Sequence, residues 1–327
     1  MKAVVYRRYG SPEVLELADI PKPTPGDDEI LIRVVATTVG TWDCEARSFT
    51  FPAWFWLPLR LGMGIRTPRW PVLGQDLAGE VEAVGKNVER FKPGDQVMAS
   101  AGLGFGAHAE YKCVRRNAAI ALKPANWSYE EAAGIPTGGD NALHFLRMAK
   151  IQPGQSVLVN GAAGNIGVIA VQLAKHFGAE VTAVDSGDKL ETLQEVGADH
   201  VVDYTKEDFR HSGKTYDVIF DLVFTSPYAR TLRCVKPNGT YLLANPRFWS
   251  MMRAIWTSKT SNRKVRFAFA ASKPADLVRL KELAEAGALK GVVDRSYPLE
   301  QAAEAHAYVE AGLRKGTVVL TIGARAR

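Results

Sequence analysis

The sequence has little cysteine: three residues in 327, Cys44, Cys113 and Cys234. They lie far apart and cannot build a disulfide framework, which fits a reducing compartment. Long apolar runs are also missing. No segment reaches the roughly 18 apolar residues that a membrane-spanning helix needs. The most apolar stretch, Phe49 to Leu61, contains two prolines and an arginine. The first residues, MKAVVYRRYG, lack the apolar core of a signal peptide and read as a strand, so the expectation is a cytoplasmic protein. There are six histidines, and none falls in a metal-ligand pattern. Internal repeats and low-complexity linkers are absent. The net charge of +6 is modest for this length and does not by itself call for nucleic acid. With 46% hydrophobic residues the chain can bury substantial cores, and its length suits two domains.

The most informative stretch runs from Ser156 to Asp185. Val157, Leu158 and Val159 form the short apolar run of a buried parallel strand. Gly161, Gly164 and Gly167 follow. Ile166, Ile169, Ala170, Leu173, Ala174 and Phe177 then recur at helical spacing. Val181 to Val184 make the next strand, and Asp185 ends it. This is the dinucleotide-binding layout. Small residues let backbone N–H groups approach a pyrophosphate, and the helix N-terminus faces it with unpaired donors. The strict G-x-G-x-x-G pattern is not met, because Ala162, Ala163, Gly164, Asn165, Ile166 and Gly167 put alanine first. The flanking strands, the helix and the terminal acid are nevertheless all present. A moderate positive charge suits such an anionic cofactor.

Around this unit the chain changes character. Met1–Tyr6, Leu15–Asp19, Glu29–Thr38, Ala78–Val84, Gln96–Ser100 and Ala109–Val114 read as short strands punctuated by turns such as Lys92-Pro93-Gly94-Asp95. One helical region spans Ser128 to Lys150, with Ser128-x-x-Glu131 as its capping box. Strands then alternate with helices: Ser156–Asn160, Val181–Asp185, His200–Asp203, Tyr216–Asp221 and Thr240–Ala244. That alternation predicts a parallel, doubly wound sheet. A further strand is expected at 265–271, helices at 273–286 and 298–311, and a last strand at Thr317–Ile322. The expected class is α/β.

Several segments together resemble the medium-chain dehydrogenase/reductase superfamily, in its zinc-free quinone oxidoreductase-like branch. They are Pro71-Val-Leu-Gly-Gln-Asp-Leu-Ala-Gly-Glu-Val, Arg90-Phe-Lys-Pro-Gly-Asp-Gln-Val, Val159-Asn-Gly-Ala-Ala-Gly-Asn-Ile-Gly, Gly197-Ala-Asp-His-Val-Val-Asp-Tyr and Lys315-Gly-Thr-Val-Val-Leu-Thr-Ile. The resemblance covers nearly the whole chain. It implies a GroES-like β-rich catalytic domain (1–124 and 271–327), a Rossmann NAD(P)-binding domain (125–270) and a substrate cleft between them. Homodimers or tetramers are common in such families, and a homodimer is expected.

The resemblance also bears on metal. Metal-dependent relatives use a cysteine where this chain has Gly40, and a histidine where it has Gln75. Cys44 is displaced by four positions, and the multi-cysteine structural lobe is missing. A site without zinc is expected. Reduction of quinones or α,β-unsaturated carbonyls then suits the chain better than alcohol oxidation, because no metal stabilises an alkoxide. Such acceptors take hydride and place negative charge on oxygen, which needs hydrogen-bond donors. Thr41, Asp43, Gln75, Thr137 and Asn141 are the candidates; turn or capping roles compete for each. Cofactor contacts are expected from Asn160, Gly161, Ala162, Ala163, Gly164, Asn165, Ile166, Gly167, Asp185, Ser186 and Lys189. Tyr204 and Asn245 are carried over from the family.

Two signals conflict over the cofactor. Asp185 sits where an acid accepts hydrogen bonds from a ribose 2′-hydroxyl and repels a 2′-phosphate. Lys189 matches the position where some family members hold that phosphate. Use of both NADPH and NADH is expected, with a mild NADPH preference. Two aromatic stretches, Phe49 to Trp70 and Arg247 to Arg266, read as loops over the entrance for a bulky apolar acceptor. Subunit packing is the competing reading, and shallow attachment to an anionic membrane surface is a third. For the whole chain, the alternatives are a non-catalytic NAD(P)H-binding redox sensor or interaction protein and, among enzymes, an alcohol dehydrogenase.

Overall fold

The computed structural model describes residues 1–268 and 273–323, apart from the side chains of residues 53 and 54. The chain divides into two compact units, one of Met1–Thr137, Ser272–Gly287 and Gly291–Arg327, the other of Gly138–Ala271 and Ala288–Lys290.

The first unit is built on the ten-residue strand Glu29–Thr38, whose sequence EILIRVVATT buries Ile30, Ile32, Val34 and Ala36 on alternate positions. Asp76–Val84, Tyr111–Arg115 and Thr317–Thr321 all pair with it antiparallel. Val293–Pro298 adds in parallel beside the last of these. Gln96–Ser100 and Ile120–Leu122 extend the other side. Ile30, Ile32, Leu77, Val97, Ile120 and Leu320 meet in one core. A second core gathers Tyr6, Phe49, Phe51, Met63, Leu73 and Phe105.

The second unit is a six-stranded parallel sheet. Its order is His200–Asp203, Glu180–Asp185, Ser156–Asn160, Tyr216–Asp221, Val235–Leu243, Lys264–Phe267. Numbered along the chain this is 3-2-1-4-5-6, so the order reverses beside Ser156–Asn160, and ligands bind such sheets at that reversal.

Some expectations change. The helical region after Ser128 is two helices, Tyr129–Ala133 and Ile135–Ala149. They part at Gly134, where a Cβ would come within 2.7 Å of Thr317 Oγ1. The capping box itself forms, with the Glu131 N–H donating to Ser128 Oγ at 3.2 Å and the Ser128 N–H to Glu131 at 2.8 Å. Both aromatic stretches expected as loops contain helices, Ala53–Met63 and Phe248–Thr260. Tryptophan, leucine and methionine support helix well enough once tertiary packing holds it. The strand expected at 265–271 runs Lys264–Phe267; residues 269–271 lie outside the described residues. Thr41–Ser48 is a helix that the sequence reading did not place.

Candidate active site

The turn after Ser156–Asn160 has the geometry that its residues dictate. Gly161 has φ +82°, a conformation costly for any residue with a Cβ. Its N–H and that of Ala162 both donate to the Val184 carbonyl, at 3.0 and 3.1 Å. Gly167 lies in the first turn of helix Asn165–His176, where a Cβ would sit 2.4 Å from the Ala162 carbonyl oxygen. Glycine there lets the helix start close against the turn. Gly164 caps that helix in an extended conformation and, being glycine, brings no side chain of its own to the first N–H groups. Those donors are suited to an anion.

Asp185 closes the next strand, and its carboxylate is nearly filled from within. The Ala163 N–H donates to Oδ2 at 2.9 Å, while the Ser186 N–H donates to Oδ1 at 2.9 Å and Lys189 Nζ to the same oxygen at 3.0 Å. The Asp185 and Lys189 side chains are each 10% exposed. The two residues that give opposite signals in sequence therefore form one ion pair. Ser186 Oγ donates to Asp188 Oδ1 at 2.8 Å. Tyr204 is exposed, and its N–H donates to the Asp185 carbonyl at 3.1 Å. Gly187 is hemmed in: a Cβ would lie 2.3 Å from Asp203 Oδ2.

A third strand end contributes Asp221, which the sequence reading missed. Asn160 Nδ2 donates to its Oδ1 at 2.9 Å, and the Tyr241 hydroxyl to its Oδ2 at 2.6 Å. Burial raises its carboxyl above the ordinary range. Its place at the carboxyl end of a parallel strand was the available signal. Asn160 is thus turned toward the neighbouring strand end. Asn245 Nδ2 donates to the Leu222 carbonyl at 3.3 Å, tying its loop to the segment after Asp221.

In the first unit, Asp43 is buried at the start of helix Thr41–Ser48. It accepts from the Gly40 N–H at 2.9 Å and the Gly74 N–H at 3.0 Å. Desolvation pushes its carboxyl up to about 6. By holding Gly74 it positions the adjacent Gln75, whose Nε2 reaches the Gly102 carbonyl at 3.4 Å. Asp76, next in line, is buried and pushed up to about 7 by desolvation, although Thr137 and Ser100 bond to it. Thr137 donates from Oγ1 at 2.7 Å to Asp76 Oδ1 and from its N–H at 3.1 Å to Oδ2. Ser100 Oγ lies 3.4 Å from Thr137 Oγ1. Thr41, two residues before Asp43, accepts at Oγ1 from Arg314 at 2.8 Å. Asn141 is half-buried, one turn beyond Thr137 on helix Ile135–Ala149.

The chain matches two family profiles, one described as the alcohol dehydrogenase GroES-like domain over residues 26–124, the other as a zinc-binding dehydrogenase over 196–320. The 2-methylene-furan-3-one reductase of Solanum lycopersicum is 34% identical over 332 residues, covering 98% of this chain and 79% of that protein. The chloroplastic NADPH-dependent alkenal/one oxidoreductase of Arabidopsis thaliana is 34% identical with the same coverage. The chain belongs to the medium-chain dehydrogenase/reductase superfamily, in its quinone oxidoreductase-like branch. Its fold is that of the branch. The quinone oxidoreductase structure from Coxiella burnetii superposes with a TM-score of 0.87 at 29% identity, covering 98% of this chain and 99% of that one. The Escherichia coli quinone oxidoreductase complexed with NADPH gives 0.84 at 25% identity, covering 98% and 100%.

Within this superfamily two cofactor questions arise, and the residues answer them differently. A dinucleotide fits: the glycine turn admits close backbone approach, and the helix that follows begins at a glycine cap with its N-terminus at the turn. Zinc does not fit the donor set. Glycine at position 40 and glutamine at 75 supply no thiolate or imidazole. Among the described residues no three His, Cys, Asp or Glu side chains converge as a metal site. No helix among them is long and apolar enough to cross a membrane.

Proposed function

We propose that this protein is an NADPH-dependent reductase of quinones and α,β-unsaturated carbonyls, with NADH as a weaker substitute. The bound dinucleotide supplies the hydride. The observation that carries the reading is the glycine turn and the glycine-capped helix after it, at the sheet's order reversal. The reductases named above, which span nearly all of this chain, support it. The Asp185–Lys189 pair favours the phosphorylated cofactor. A carboxylate already accepting two N–H bonds and an ammonium repels a 2′-phosphate less than a bare one.

For the acceptor, Thr41, Gln75, Thr137 and Asn141 are the proposed donors to the oxygen on which charge develops. Asp43 is a positioning residue acting through Gly74. Burial raises the Asp76 carboxyl to about 7, so its protonated and ionised forms are both populated near neutral pH. When the carboxyl is protonated its O–H can donate to Thr137 Oγ1, which turns the threonine hydrogen outward. The proposal takes the protein as a cytoplasmic homodimer; its free cysteines are in keeping with a reducing compartment.

The test follows loss of reduced-nicotinamide absorbance with NADPH and NADH in parallel, using an ortho-quinone and a bulky enone. Cofactor consumption that requires acceptor, persists after chelator treatment and is faster with NADPH is expected. Detectable binding of NADPH without turnover of either acceptor would instead point to a sensor.

A further inference from the structure

The helix Phe248–Thr260 is turned inside out relative to an ordinary surface helix. Its buried positions are small, Ala254 and Thr257, the latter receiving the Tyr228 hydroxyl at 3.0 Å. Its large apolar residues face solvent: Phe248 is 42% exposed, Trp249 73%, Met252 49%, Ile255 46% and Trp256 68%. At about 100° per residue these five fall within one arc of about 120°, opposite Ala254 and Thr257. An outward stripe of this kind marks an interaction site.

Charge decides what covers it. From Arg247 to Arg266 the chain has six basic residues and no acidic one. Arg247, Arg253, Lys259 and Lys264 are exposed around the stripe. A second copy of the same face would bring like charges together without a compensating acid. An anionic lipid surface complements it. Acyl chains and headgroups receive the tryptophan, phenylalanine and isoleucine side chains, while phosphates receive the cations. We propose that Phe248–Thr260 is an interfacial helix that docks this protein on an anionic bilayer surface, lying in the plane of the headgroups. The inference does not depend on the catalytic reading.

The experiment is co-sedimentation of the full chain with vesicles of phosphatidylcholine alone or containing about a third phosphatidylglycerol, at low and high salt. Trp249→Ser/Trp256→Ser is compared with the wild type, its fold checked by an unchanged thermal midpoint. Binding to anionic vesicles only, weakened by salt and reduced about tenfold or more by the double substitution, is expected. No binding to anionic vesicles at low salt would overturn the proposal. So would binding that the substitutions leave intact, because it would then be carried by another surface. A solution mass of two chains that falls to one in the variant would assign the stripe to self-association and overturn it too.

Discussion

Lys189 Nζ lies 3.0 Å from Asp185 Oδ1, four residues away, with both side chains 10% exposed. The pair sits where the cofactor's adenosine ribose is expected. Lys189→Met removes the cation and leaves the carboxylate with its two N–H donors. The expected outcome is a loss of about 1–3 kcal/mol in stability. The specificity constant for NADPH falls about tenfold or more, and that for NADH falls less. Parallel steady-state kinetics with the two cofactors read this out. An equal fall for both would mean that the lysine only supports the fold.

Gly167→Ala tests the turn. The added methyl would lie 2.4 Å from the Ala162 carbonyl, which is backbone and cannot step aside cheaply. Helix Asn165–His176 must then lift off the turn that it caps. NADPH affinity is expected to fall by about tenfold or more, with a lower thermal midpoint. Fluorescence titration with NADPH and a melting curve measure both.

Asp76 makes stability depend on pH in a defined direction. Its carboxyl is raised from 3.8 to about 7 by burial, so the folded state holds this proton more tightly than the unfolded chain. The stability it contributes is fully present below about pH 4 and is lost as pH rises through about 7. Asp76→Asn cannot ionise but disturbs the bonds from Thr137. The wild type's advantage in thermal midpoint over this variant is therefore expected to shrink between pH 5 and pH 8. An advantage that stays constant between pH 5 and pH 8 would show that the carboxyl is ionised throughout that range.

Cys44 is expected to be inert. Burial pushes its thiol up to about 12, and that of Cys113 up to about 11. Reaction needs the thiolate, so native protein at pH 8 should react with a disulfide reagent far more slowly than free cysteine. In denaturant all three thiols should titrate. Rapid native labelling of Cys44 would contradict its place beside His306, whose Nδ1 lies 3.5 Å from the sulfur.

Local chemistry made much of the site legible before any coordinates. Gly161, Gly164 and Gly167 announced a tight turn because only small residues tolerate it, and Ser128 with Glu131 announced a helix start. Thr41, Gln75 and Thr137 were nominated by residue type and by resemblance, which says nothing about their bonds. Asp76 went unmarked as a proton holder because its pKa comes from burial, and burial depends on residues far away in the chain. Asp221 was missed because the Asn160 and Tyr241 that bond it come from two other strands.

The sequence by itself determined the alternation of strands and helices, the glycine turn and the acid that ends its second strand. Each depends on periodicity or backbone sterics within a few residues. Only the tertiary structure decided which faces those elements bury. It joined Asp185 to Lys189 by the turn of chain after the strand, where two opposite charges in a poorly solvated place hold each other. It also turned Trp249 and Trp256 outward, with Ala254 and Thr257 on the buried face of their helix and the Tyr228 hydroxyl bonded to Thr257. Hydrophobicity tells which residues gain by leaving water; steric fit against distant elements decides which of them can.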